Sequence, residues 1–403
     1  MPGKRKKAAA GEAMKIYIWY PLLVSLGLGF TFMNIPPVNR QFMELMGVGY
    51  DGLSWLLSGL FWSHALAQIP AGFIADRCSF WKTAVVGLSI CVLANILPFL
   101  APSSLTLATG LRFFLGLGTS LSFMAALKIM LVLAPSNKLT AIQGFQGAAF
   151  SFGFVLPYLT LPYMGGRAWP CAYILSAALI GSALIATLFL PRAELVPPRE
   201  VRPAAEVKKA LWGILTSRPI WFLGIFHGLS YGSLNNLGNW LPSMLADLDG
   251  REATDWAWAA VCILLAGTLG RAFGGSLLGA FSRGRGVSGA VLAIIILYLI
   301  MGLFGQKFIL LGGAVLMALA CGSTYGGIFT LSAAAGAAYA ATAMGVMNMI
   351  GNLCNVGLTL IFGYVRQNTG SFSLSLLAAG VLGLACWLAG RSLIIRLDEG
   401  ADK

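Results

Sequence analysis

Apolar stretches of membrane-crossing length recur along almost the whole chain, broken by short polar segments. A helix needs about 20 apolar residues to cross the hydrocarbon of a bilayer. Cutting at charges, prolines and glycines predicts twelve spans: 15–36, 52–75, 81–101, 105–134, 140–163, 168–190, 219–243, 254–280, 286–305, 308–331, 336–365 and 372–395. One break differs. Residues 191–218 are polar and rich in proline, and they divide the spans six and six. The expected organisation is a tail (1–14), a six-helix bundle (15–190), a central loop (191–218), a second six-helix bundle (219–395) and a tail (396–403). The predicted fold class is all-α integral membrane.

Composition agrees with the pattern. Hydrophobic residues make up 58% of the chain and charged residues 10%, against roughly 25% charged in soluble domains. That leaves too little polar surface for a soluble globule, and it argues against disorder and nucleic-acid binding despite a net charge of +13. The positive charge reads first as topology. With the N-terminus inside, the inner segments hold 19 Lys and Arg residues and the outer loops five, so both termini are expected to be cytoplasmic. The basic N-terminal stretch has no small-residue cleavage site and is expected to be retained. The seven cysteines are scattered singly, with no CxxC and no Cys/His cluster. No metal site, disulfide framework or cofactor is expected.

The two six-span halves echo each other. Ile18-Trp19 matches Ile220-Trp221, Asn34 matches Asn236, and Gly72 matches Gly275, all at offsets of 202 or 203. An internal repeat of this kind in a membrane bundle marks a secondary transporter, with its binding site near the midplane.

Local motifs sharpen this. Between spans two and three the chain reads Gly72-Phe-Ile-Ala-Asp76-Arg77-Cys-Ser79-Phe-Trp-Lys82, which resembles the signature loop of the major facilitator superfamily. Ser79 stands where the family has a glycine, and Lys82 alone supplies the trailing positive charge. The second copy has Gly279 in place of the Asp. Arg112-Phe-Phe-Leu-Gly116-Leu-Gly118 in span four resembles the superfamily's Arg-x-x-Gln-Gly-x-Gly, with Leu115 for the Gln. The resemblance implies a twelve-helix fold of two pseudo-symmetric bundles. It also implies gating roles for Gly72, Asp76, Arg77 and Lys82, and an architectural role for Arg112. Span five reads Gly153-Phe-Val-Leu-Pro157 and lacks the Gly-Pro pattern of drug/proton antiporters, and no carboxylate lies well inside a span. That subgroup is disfavoured.

The charges inside the spans are positive: Arg112, Lys128 and Arg271. No carboxylate lies nearby in sequence, and an intramembrane charge is costly unless paired or hydrated. Lys128 is expected to reach toward the cytoplasmic surface. For Arg271 the simplest relief is a bound anion, since its planar fork matches a carboxylate or nitrate. Gly267-Thr-Leu-Gly-Arg271-Ala-Phe-Gly274-Gly275 resembles the span-eight motif of nitrate/nitrite porters, which implies anion binding by Arg271. Monocarboxylate transporters and the oxalate–formate antiporter also use a basic residue of span eight. The repeat maps Arg271 onto Gln68, where nitrate porters have a second Arg, so a small monocarboxylate or similar monoanion is the favoured substrate. Monocarboxylate transporters place an Asp where this chain has Gly267, so their charge-paired arrangement does not carry over.

Other candidates follow from spacing. His64 lies one helical turn before Gln68 and is a proton-coupling candidate. Asn348, Asn352 and Asn355 form a polar stripe in span eleven, and Gln143 and Gln146 a shorter one near the cytoplasmic end of span five. Interhelical bonding and lining of the binding site remain open for each. Tyr325 is a candidate aromatic of the site. His227, matched by Ser25 in the repeat, is a weaker candidate. The expected function is secondary transport of a small monovalent anion by alternating access, with a proton as an optional co-substrate. The alternative is an exporter or antiporter of another small solute, with Arg271 structural. Enzymatic chemistry is not expected, because the spans hold no clustered His, Cys or acidic residues. The expected partners are the anion and the bilayer of the cell membrane, around a monomeric carrier.

Overall fold

The computed structural model describes residues 18–48, 50–190, 204–250, 253–278 and 282–401. These residues are helical with short connections, and no strand occurs among them. The helices are α1 (18–32), α2 (Asn39–Met46), α3 (Tyr50–Arg77), α4 (Phe80–Ile96), α5 (Leu105–Leu133), α6 (Leu139–Thr160), α7 (Ala168–Phe189), α8 (Ala204–Leu215), α9 (Arg218–His227), α10 (Ser233–Asp249), α11 (Ala257–Leu278), α12 (Arg283–Phe304), α13 (Lys307–Gly336), α14 (Ala340–Thr369) and α15 (Phe372–Ala401). The tail at 1–14, the central loop as far as 203 and Gly279 lie outside the described residues.

Eight stretches among the described residues are long and apolar enough to cross a membrane, and two of them, Leu139–Phe189 and Lys307–Arg366, each hold two of the expected spans. The helix α3 stands apart because it carries His64 and Gln68 among its apolar residues. The seventh span is interrupted: α9 passes through a π turn, Gly228–Gly232, into α10. With these two the twelve spans are complete. Within the central segment 191–218, the part from Ala204 to Leu215 forms a helix. Val207 and Ile214, two turns apart, bury one face of it while Trp212 remains exposed.

The chain divides into two compact units. Unit 1 comprises Met1–Ile142 with Ala149–Val207, and unit 2 comprises Gln143–Ala148 with Lys208–Lys403. Unit 1 has a core in which Phe30, Ile35, Phe42, Leu56 and Tyr173 meet. The core of unit 2 gathers Leu237, Leu241, Ile263, Ile294, Met317 and Phe362. Many large apolar side chains are left uncovered, among them Trp55, Leu100, Phe189 and Phe308. In water such surface would cost about 25 cal/mol per Å²; against lipid tails it costs nothing comparable.

Polar caps set where the helices begin. Ser79 Oγ accepts the Lys82 backbone N–H at 3.3 Å and starts α4, which gives a local reason for serine where the signature loop has glycine. Ser104 and Ser282 cap α5 and α12 in the same way. At α12 a carboxylate adds to the cap: Asp398 Oδ2 of α15 accepts from Ser282 Oγ at 2.8 Å and from the Gly284 N–H at 3.0 Å. A negative group at a helix N-terminus is favoured by the partial positive charge there.

Candidate functional site

Unit 2 places Arg271 of α11 in a buried, largely aromatic setting, with 3% of its surface exposed. Its guanidinium carbon lies 4.7 Å from the Tyr325 ring centroid and 5.8 Å from that of Tyr231, within the range of cation–π attraction. Nη1 donates to the Gly147 carbonyl oxygen at 3.1 Å. Nε has no partner, and Arg271 makes no ion pair with a carboxylate among the described residues.

Gln143 and Gln146 reach this setting too, despite their place near the end of their span. Tyr325 donates its hydroxyl to Gln146 Oε1 at 3.0 Å, and Thr330 Oγ1 donates to Gln143 Oε1 at 2.6 Å. The run Gln143-Gly-Phe-Gln146-Gly147 alternates amides with glycines for a steric reason. A Cβ at Gly147 would meet the Tyr325 ring, and one at Gly144 would meet the Arg271 carbonyl oxygen. Only a bare backbone can come so close.

His227 closes the cluster. Its ring stacks on Tyr231 at 5.5 Å and 6°, and lies edge-on to Tyr325 at 6.2 Å and to Phe329 at 5.5 Å. Nε2 lies 3.1 Å from Asn348 Oδ1. Of the span-eleven stripe, then, Asn348 serves His227. Asn355 Oδ1 accepts from Asn236 at 3.5 Å, and Asn352 turns back to the Asn348 carbonyl. Two of the three are therefore interhelical, and Asn352 bonds within its own helix.

In unit 1, His64 and Gln68 of α3 form a second polar cluster. Gln68 Nε2 lies 2.7 Å from His64 Nε2. His64 Nδ1 lies 2.9 Å from Thr119 Oγ1 and 3.1 Å from Ser120 Oγ. Both hydroxyls donate to backbone carbonyls, Thr119 to Gly116 and Ser120 to His64 itself. Nδ1 is therefore the donor and Nε2 the acceptor of the Gln68 amide. Gly116 makes the contact possible, because a Cβ there would run into Ser63 and the Leu60 carbonyl oxygen of α3. Thr119, Ser120 and Tyr231 were not among the sequence candidates. They are ordinary span residues, and only packing distinguishes them.

The remaining charges lie in unit 1, and Arg112 too is buried, with Nε and Nη2 unpartnered. Arg112 Nη1 donates to the Thr31 carbonyl oxygen at 3.2 Å and to Asn34 Oδ1 at 3.0 Å, holding the end of α1. Lys128 corrects an expectation. It is not left without a carboxylate, because its Nζ lies 2.8 Å from Asp76 Oδ1. The packing of α3 on α5 brings together residues 52 positions apart. Gly72 is buried, while Arg77 and Lys82 are exposed, with the Arg77 guanidinium carbon 5.1 Å from the Phe73 ring centroid.

Twelve spans and a signature loop define a membrane-embedded solute carrier. The chain belongs to the Major Facilitator Superfamily, whose family model matches residues 21–359. It is similar to the probable sulfoacetate transporter SauU of Cupriavidus necator, 27% identical over 382 residues that cover 87% of this chain and 86% of that protein. It is also similar to the nitrite extrusion protein of Bacillus subtilis, 22% identical over 328 residues and 80% of each chain. Among solved structures, the transporter FucP in the outward conformation matches with a TM-score of 0.77 at 16% identity, over 95% of this chain and 99% of that one.

Proposed function

We propose that the protein carries a small monovalent anion, a monocarboxylate or similar, by alternating access, with Arg271 pairing with its negative group. The observation that carries this reading is a buried guanidinium with a free Nε and no carboxylate partner among the described residues. Such a charge is costly to keep unless a counter-ion relieves it. Relatives are named for the anions sulfoacetate, nitrite and galactarate or D-glucarate, which supports anion transport in general. On this reading Gln146 and Tyr325 brace the guanidinium and Gln143 presents an unpartnered amide Nε2, while Gln68 and His64 form a polar cluster of their own in unit 1. His64 is the candidate proton carrier: turning the Gln68 amide by half a turn would let its oxygen accept from Nε2–H, so the ring's bonds can be met with or without the extra proton. The loop Gly72–Lys82 acts as a latch, the carrier works as a monomer in the cell membrane, and both termini lie in the cytoplasm, as the loop charges indicate.

A thermal-shift screen of monoanions on the purified protein and on Arg271→Gln tests this. An anion that binds the folded state raises its melting temperature by mass action, and the rise is expected in the unsubstituted protein alone. Equal stabilisation of both proteins would remove Arg271 from the site. It would favour the second reading, an exporter or antiporter of another solute in which Arg271 is structural. The bond to Gly147 and the two aromatic contacts speak for that alternative.

A further inference from the structure

His227 presents an unused nitrogen in the same setting as Arg271. Asn348 Oδ1 can only accept, so His227 Nε2–H is the donor of their 3.1 Å bond. That assignment makes Nδ1 the lone-pair side of the neutral ring, and Nδ1 has no partner although the residue is only 3% exposed. A buried acceptor left empty is costly. The ring is also held firmly, stacked on Tyr231 and set edge-on to Phe329.

Two further observations link Nδ1 to the anion site. Arg271 and His227 border the same two rings, Tyr231 and Tyr325, and the unpartnered atoms there have opposite character: Arg271 Nε donates and His227 Nδ1 accepts. The backbone that follows His227 and carries Tyr231 is the π turn Gly228–Gly232, a departure from α geometry that is frequent at functional sites.

We propose that His227 reads a hydroxyl on the substrate, so that the preferred ligand is a hydroxylated small anion, a hydroxycarboxylate or hydroxysulfonate, and not its deoxy counterpart. This rests on the anion reading of Arg271 and adds a specificity residue to it. The negative group meets the guanidinium, and the hydroxyl donates to Nδ1. Asn348 is a positioning residue that fixes the tautomer, and Tyr231 holds the ring plane. An anion lacking the hydroxyl leaves Nδ1 empty and forfeits that bond.

The test uses the purified full chain and two matched pairs, glycolate with acetate and isethionate with ethanesulfonate, titrated by thermal shift. The hydroxylated member of each pair is expected to bind roughly five- to tenfold more tightly, the effect of one hydrogen bond to a buried acceptor. His227→Phe keeps an aromatic ring and removes the acceptor, so it should bring the two members of a pair together. Asn348→Leu should erode the preference by freeing the tautomer. If the anions bind in an Arg271-dependent way but the unsubstituted protein treats both members of each pair alike, the hydroxyl proposal is wrong and the anion site stands. Persistence of the preference in His227→Phe is equally fatal to it. If no anion of either pair binds, or binding ignores Arg271→Gln, the anion site itself fails.

Discussion

The guanidinium of Arg271 and the ring of Tyr325 are 4.7 Å apart, while the hydroxyl of that same ring is bonded to Gln146. One side chain thus holds the cation by its face and the span-five segment by its edge.

The two functions of Tyr325 separate by substitution. Tyr325→Phe keeps the ring face and should leave the affinity of any Arg271-dependent anion within about twofold, while stability falls by roughly 1 kcal/mol for the missing hydrogen bond. Tyr325→Leu removes the face as well, and a further loss of about 0.5–2 kcal/mol is expected. Chemical or thermal unfolding of the three proteins in one detergent measures the difference.

The Lys128–Asp76 pair is mostly buried, with 16% and 1% of the two side chains exposed. Asp76→Asn leaves an ammonium facing a neutral amide, and a loss of roughly 3 kcal/mol is expected. The double variant Asp76→Asn with Lys128→Met should be more stable than the single one. A double-mutant cycle on melting behaviour reads this coupling directly, and additivity would mean the two charges do not interact.

The exposed pairs make a contrast. Arg40–Glu44, with 92% and 64% of the side chains exposed, should tolerate Arg40→Gln with no measurable change in melting temperature, since such pairs are screened by solvent and salt.

Gly116 is expected to resist even the smallest enlargement. Gly116→Ala places a methyl against the Ser63 side chain and the Leu60 carbonyl oxygen, so α5 must retreat from α3 at a cost of about 1–3 kcal/mol. The His64–Thr119 bond should lengthen with it. The imidazole nitrogen resonances of specifically labelled His64 provide the check, and an unchanged spectrum would show that the helices did not move.

Asp398 caps α12 from α15 and should be worth about 1 kcal/mol. Asp398→Ala is expected to lower stability by that amount, with accelerated hydrogen exchange confined to the first turn of α12.

Much of this architecture was legible in the chain. Twelve apolar runs and the offset of 202–203 give the span count and the repeat, because lipid demands length and hydrophobicity from every crossing helix. Arg271 stands out by the same logic, as a charge where charge is expensive. Partners were not legible. The Lys128–Asp76 pair joins residues 52 apart, and the Gln146–Tyr325 bond joins residues 179 apart; no local pattern encodes either. The one signal that could have raised Gln143 and Gln146 is their alternation with Gly144 and Gly147, amides beside residues that permit close approach. Tyr231 was hidden because a π turn, which ordinary helical spacing does not foresee, sets its ring against His227.

The acceptor that holds Arg271 Nη1 is a main-chain oxygen, that of Gly147. Side-chain mutagenesis cannot delete it: an alanine scan across span five would pass over the contact, and a larger residue at 147 would report a collision with Tyr325 instead. Only chemistry that alters the backbone, such as an ester in place of the amide that follows Gly147, weakens this acceptor while leaving every side chain in place. The atom that accepts from the Arg271 guanidinium therefore belongs to the one part of the chain that codon changes leave constant.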